Sequence, residues 1–411
     1  MVDHRNGPAD AASVPSATKR LLLVGAAILS LAPPAIGAWL RWGTWPPGFG
    51  IFPPQQVIVA PGFSLIYFGV MGLGASAILL VLLVPQFFGF KVKPSQKKTT
   101  TDPGTRAIGF PPWFWIGLAV TLASWVVQWF GPETLTKYIF TPLWWGFIAV
   151  IDGIVYRRTN ACSIFSRMPK QLLSFVIMSI AGWYFFEWLN WFVLENWVYP
   201  NSPGIFTVPE AYFWFTLTYT CVWPAIFEWY SLLRTFPSLT RRWENGPVIH
   251  LSSTLVLLVL GVGTITGVLV GFLPHLLFFT VWLGSLLVLP AAMSLLKFWT
   301  PFTPIAKGNW TPLILMAIAG LCNGLFWEFW NHGSEFFNPG TNPNYWVYEV
   351  PYVNVIHLFS EMPLLGYFGY FPFGVQCWAW WLVAAHVLKF NPDIDPAGVG
   401  LPGAQKIEES S

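Results

Sequence analysis

Gly182-Trp183-Tyr184-Phe185-Phe186-Glu187-Trp188-Leu189-Asn190-Trp191 is one copy of a pattern that returns as Gly324-Leu325-Phe326-Trp327-Glu328-Phe329-Trp330-Asn331-His332. Each copy ends an apolar run and sets Glu and Asn three residues apart, which places both on one face of a helix. A carboxylate inside such a run is costly unless it faces a packed interior with partners. The two copies therefore decide how the rest of the chain reads, as a helical membrane bundle made of two related halves.

Composition agrees. The 411-residue chain is 55% hydrophobic and 9% charged, with 26 Trp and 36 Phe. A soluble domain carries about 25% charged residues, so this chain has too few polar side chains to coat a water-facing surface. Cys162, Cys221, Cys322 and Cys377 are far apart, without the paired spacing of a disulfide framework or a zinc finger. The chain has no Gly-rich phosphate loop and no basic helix suited to nucleic acid, which removes nucleic acid from the expected partners.

Apolar runs near the roughly 20 residues needed to cross a bilayer fall at about 21–40, 62–85, 111–130, 136–156, 171–192, 211–233, 250–272, 275–297, 311–331 and 352–388. The predicted fold is all-α, a polytopic integral membrane bundle of about ten transmembrane helices. The last run carries Gly366, Gly369, Pro372 and Gly374, so it is expected to be one bent crossing or a half-helix followed by a full one. With a cytoplasmic N-terminus, every Lys and Arg except Arg41 and Lys137 falls on the cytoplasmic side, as the positive-inside rule requires. Both termini are then cytoplasmic, and the expected location is a bacterial inner (plasma) membrane. Residues 1–18 read as a disordered tail, 19–85 as a two-helix membrane segment and 86–110 as a basic cytoplasmic linker. Residues 111–390 read as the duplicated bundle and 391–411 as a cytoplasmic tail.

The duplication spans about 136–249 and 275–390. Trp197-Val198-Tyr199 recurs as Trp346-Val347-Tyr348, and Val208-Pro209 as Val350-Pro351. Four crossings separate equivalent spans, so the repeats are parallel and related by an axis along the membrane normal. Gly263, Gly267 and Gly271, and likewise Gly320 and Gly324, stand four apart and predict close helix crossings.

Asp152 and Glu228 lie near the basic ends of their spans, close to Arg157 and Arg234, and are expected to pair with them or to snorkel. Glu187, Glu328 and Glu361 lie in the other half, where cations are scarce, and are the candidate catalytic residues. Glu328 and His332 are four apart, as are His357 and Glu361. On helices, two carboxylates and two imidazoles would converge, giving a candidate metal site (His332, His357, Glu328, Glu361) or a proton-transfer pair. The structural alternative is that each Glu hydrogen-bonds across the halves and locks them together. Trp183, Trp191, Trp327 and Trp330, with Asn190 and Asn331, are the candidate substrate contacts, and loops 193–210 and 333–351 the candidate lids. Trp45, Trp113, Trp243 and Trp310 read as interfacial belts.

An aromatic zone with a few convergent polar groups suits a lipophilic ligand. The expected function is binding or transforming an isoprenoid, quinone or lipid, with membrane lipids as constant partners. The alternatives are a secondary transporter using Glu and His for proton coupling, or an accessory subunit of a larger membrane complex. The residues name no cofactor, and His250, His275 and His386 show no pairing suited to haem.

Overall fold

A computed structural model describes residues 15–51, 60–91 and 108–396. Its architecture is carried by helices α1 (Ser16–Trp42), α2 (Leu65–Leu83), α3 (Pro112–Phe130), α4 (Glu133–Arg158), α5 (Pro169–Leu189), α6 (Val208–Tyr219), α7 (Val222–Arg234), α8 (Ser253–Phe272), α9 (Val281–Leu295), α10 (Thr311–Phe337) and α11 (Tyr370–Leu388). Two short strands, β1 (Trp197–Val198) and β2 (Val347–Tyr348), are paired with each other. Among the described residues, nine helical segments are long and apolar enough to cross a membrane. The fold is all-α, as expected.

The sixth predicted span, about 211–233, is not one helix. It is divided into α6 and α7, and Pro224 sits in the first turn of α7, where a missing N–H is harmless. Ser179 of α5 fills the interruption. Its hydroxyl accepts from the N–H groups of Val222 (3.0 Å) and Trp223 (3.2 Å) and donates to the carbonyl of Tyr219. One side chain thus satisfies backbone groups on both sides of the break, which makes it tolerable in a water-poor interior.

Residues 352–388 also depart from a bent crossing. Irregular chain runs to Pro363, a 3-10 turn covers Leu364–Gly369, and only then does α11 begin. Tyr352 and Ile356 hold φ of 62° and 58°, and Pro363 bars the preceding residue from the helical region. His357 and Glu361 therefore share no helix face, and that part of the sequence expectation fails.

The glycine stripes behave as their spacing predicts. A Cβ on Gly271 would lie 2.1 Å from the Pro34 oxygen of α1, and one on Gly320 2.2 Å from the Tyr370 oxygen of α11. Backbones meet at these points because nothing stands between them. Only short parts of the predicted tails and basic linker fall among the described residues. Helix α1 starts at Ser16, Phe90 is buried beside Trp310, and Ile394 is fully buried. Trp381 Nε1 donates to the Pro392 oxygen at 2.9 Å, tying the segment after α11 to the bundle. The rest of those tails and of the basic linker lies outside the described residues. One of the predicted belt tryptophans is an interior group, and a second is half-buried. Trp243 is buried, and Trp113 Nε1 donates to Asp152 at 2.8 Å.

Candidate functional site

Asn190 follows the last turn of α5, and its amide folds back onto the chain. Its Oδ1 accepts from the N–H groups of Asn196 (2.8 Å) and Trp197 (3.0 Å), and its Nδ2 donates to the Trp197 carbonyl (2.7 Å). Asn331 in α10 treats Trp346 the same way. Its Oδ1 accepts from the Trp346 N–H at 3.0 Å and its Nδ2 donates to the Trp346 carbonyl at 2.8 Å. Each amide thus acts as a one-residue strand partner. The strands so held pair antiparallel, with Val198 opposite Val347 and Trp197 opposite Tyr348. The two Trp-Val-Tyr segments meet about their central valines.

The paired segments deliver their aromatic hydroxyl and N–H groups to the two acids. Glu187 accepts from Tyr199 (2.5 Å), Trp183 (3.0 Å) and Trp197 (3.2 Å). Glu328 accepts from Tyr348 (2.7 Å) and Tyr370 (2.5 Å), and Trp346 Nε1 donates to the Tyr348 oxygen at 2.8 Å. Both carboxyl groups are fully buried, and among the described residues neither forms an ion pair. Burial first, and the facing carboxyl groups second, hold the loop phenols Tyr199 and Tyr348 well above the ordinary tyrosine value. They therefore stay protonated and remain donors.

Two cavities lie against this framework. The larger measures ≈ 100 Å³, counted as space open to the centre of a water molecule. One water needs about 10–15 Å³ on that measure, so it has room for several waters or a slender apolar group. Trp197, Tyr348, Trp282, Met362, Gly366 and Gly369 are among its walls. The smaller measures ≈ 30 Å³ and touches Trp144, Phe215, Tyr219, Cys221 and Val222. Trp183, Tyr199, Trp327 and Trp346 line both, and the Trp183 and Trp327 rings, 4.7 Å apart, form the partition. Each cavity abuts one chain interruption, at Tyr219–Val222 for the smaller and at Gly366–Tyr370 for the larger.

The candidate residues separate accordingly. Trp183 and Trp327 line the cavities. Asn190 and Asn331 hold backbone, Trp191 adjoins Glu187, and Trp330 is buried against Trp144 at 4.9 Å. Glu187 and Glu328 stand behind the wall and reach the cavity through their tyrosines and tryptophans. Glu361 lies nearer the surface against His332 (3.4 Å), whereas His357 faces Asn354 (3.3 Å). No group of three or more His, Cys, Asp or Glu side chains suited to a metal is found among the described residues. The irregular chain after Tyr352 is the reason, since it removes the helical register that would have aligned the four groups. Tyr199, Tyr348 and Tyr370 are the residues missed from sequence. The repeated Trp-Val-Tyr signalled the first two, but Tyr370 reaches Glu328 because Gly324 leaves the space, a Cβ there lying 2.4 Å from the Tyr370 ring.

Beside the ribbon, Glu195 ends the π-turn Asn190–Leu194 with a left-handed φ of 56°. Partial burial pushes its carboxyl up to about 7, against the pull of nearby Arg41. A carboxyl raised on folding binds more protons folded than unfolded, so its contribution to stability falls as pH rises from the unfolded value through about 7. Glu195→Gln is expected to raise the thermal midpoint at pH about 8 and leave it unchanged at pH about 4, a difference that melting at the two pH values measures. Comparisons of this chain with protein-family models, with curated proteins and with solved structures find no match.

Proposed function

We propose that the chain is an integral membrane protein built from two parallel repeats, and that its extracytoplasmic pocket binds a lipophilic molecule of the isoprenoid, quinone or lipid class. The duplication is supported by recurring bonds. In each half an Asn clamps a Trp, and a Tyr two residues later donates to a buried Glu. The antiparallel meeting of Val198 and Val347 is what a twofold axis through the ribbon would produce.

The larger cavity carries the functional reading. Its walls are aromatic and apolar, with a few polar groups among them. The protons of Tyr199, Tyr348 and Tyr370 are committed to carboxyl groups, and the Asn196 Oδ1 is buried without a partner among the described residues. Tyrosine and amide oxygens remain as acceptors and the indole N–H groups of Trp282 and Trp327 as donors, so a hydroxyl, which both donates and accepts, suits the polar end. A prenyl alcohol, a hydroquinone or a hydroxylated lipid fits that requirement.

Gly369→Leu tests the reading. A Cβ at Gly369 would rest 3.6 Å from Trp282, an ordinary contact, and the remaining side-chain atoms would occupy the cavity. The wild type, purified in detergent and extracted for mass spectrometry, is expected to yield a near-stoichiometric lipophilic molecule bearing a hydroxyl. Gly369→Leu is expected to lose at least about tenfold of it, equal to about 1.4 kcal/mol of binding, at an unchanged thermal midpoint. A wild type that yields only detergent and bulk lipid would refute the proposal.

Transport is the second reading, favoured by one observation. Both halves are interrupted beside a cavity, and broken helices at repeat interfaces are where transporters bind solutes. Substrate-dependent flux in liposomes would support it, and constitutive copurification with other membrane subunits would favour an accessory role instead.

A further inference from the structure

Asp152 and Glu228 do not pair with the arginines near them in sequence. The Arg157 guanidinium lies over Phe110, 4.4 Å from the ring centre, and Arg234 binds Asp395 at 2.6 Å. Arg158 is engaged with Thr235 at 2.6 Å. Asp152 of α4 and Glu228 of α7 are both 0% exposed. They face one another where Ile151 and Val155 pack on Leu232. This is the end of the bundle where α4 leads into α5, opposite the ribbon.

The two carboxyl groups are treated differently by their surroundings. Asp152 accepts from Trp113 Nε1 (2.8 Å), the Ser163 hydroxyl (2.8 Å) and the Phe165 N–H (2.9 Å). Among the described residues no donor from elsewhere reaches either oxygen of Glu228, and the Ser231 hydroxyl beside it on α7 is also buried without a partner. We infer that Asp152 and Glu228 form a proton-binding site, in which Glu228 carries one proton and donates it to an ionised Asp152. The three donors stabilise charge on Asp152, and none of the described residues does so on Glu228. Among the described residues no cation pairs with either acid, and two ionised carboxylates in contact without one are not sustained in a dry interior. A proton on Glu228 converts an orphaned acceptor into a donor, and Asp152 is the acceptor at hand. A hard metal ion would need about six to eight oxygen ligands, whereas the groups facing the pair are Trp113, Ser163, the Phe165 N–H and Ser231. The site is independent of the ribbon cavity, and its test does not involve the pocket ligand.

Infrared spectroscopy of the full-length protein in detergent provides that test. The wild type is expected to show a protonated-carboxyl C=O band, and Glu228→Gln to lose one carboxyl's share of it. The thermal midpoint should be nearly unchanged, because the Gln amide donates to Asp152 as the acid does. Asp152→Asn is the second variant. There the band persists but moves to higher frequency, since its acceptor is weakened. An unchanged band area in Glu228→Gln would overturn the inference. If that variant does not fold, an unmoved band in Asp152→Asn would overturn it. Stabilisation by sodium of the wild type but not of Glu228→Gln would assign a metal cation in place of the proton, and would overturn it as well.

Discussion

Glu187→Leu is expected to lower the stability of the detergent-solubilised protein by about 3 kcal/mol, roughly one for each donor left without an acceptor. Those donors are the Tyr199 hydroxyl and the Trp183 and Trp197 indole N–H groups. Single interhelical hydrogen bonds in a membrane show coupling energies of about 0.6 kcal/mol, because freed partners find others. Here the acid is fully buried and its donors are walled around it, so that escape is closed. Glu187→Gln should fall between, since the amide oxygen still accepts while its NH₂ group opposes a third donor. The ordering wild type, Gln, Leu in thermal midpoint is the signature of a lock. If Glu187→Gln kept the wild-type midpoint yet lost the copurifying ligand, the carboxyl would be serving the ligand, and the lock would be secondary.

That distinction could not be drawn from the sequence, although much around it could. Glu187 and Asn190 on one helical face, the repeated Trp-Val-Tyr and the glycine spacing are local patterns, and the structure uses all of them. Hydropathy located the apolar runs because it depends only on length and composition. It could not see the interruption at Thr220–Cys221, because the capping hydroxyl comes from Ser179, more than 40 residues earlier. The His357–Glu361 spacing implied a shared face only if that stretch were helical, and it is not. Tyr370 was invisible as a partner of Glu328 for a related reason, with 42 residues between them. Asp152 and Glu228 were assigned to the nearest arginines in sequence, whereas the folded chain turns those arginines to Phe110 and Asp395. Local chemistry was legible, and the partners supplied by other elements were not.

Gly320→Leu should damage the fold and the pocket together. A Cβ at Gly320 would lie 2.2 Å from the Tyr370 oxygen and 3.0 Å from the Gly374 nitrogen. Both are backbone atoms, so no rotamer change relieves the clash and α10 and α11 must separate. Overpacking commonly costs about 1–3 kcal/mol, and with backbone on both sides the upper end, about 3 kcal/mol, is expected here. Separation carries Tyr370 away from Glu328, to which its hydroxyl is bonded at 2.5 Å, and opens the cavity wall that Tyr370 and Gly369 form. Ligand content should therefore fall in step with the thermal midpoint, unlike Gly369→Leu, where content falls alone. Gly284→Ala is the control, as a Cβ there meets nothing within 4 Å among the described residues; ligand content should stay at the wild-type value and the midpoint should not fall, since Ala is the better helix former. A Gly320→Leu protein that accumulated normally and melted with the wild type would mean that α10 and α11 do not cross at Gly320 and Gly374. The pocket would then have lost the contact that sets the distance between its Glu328 side and its Gly369 side.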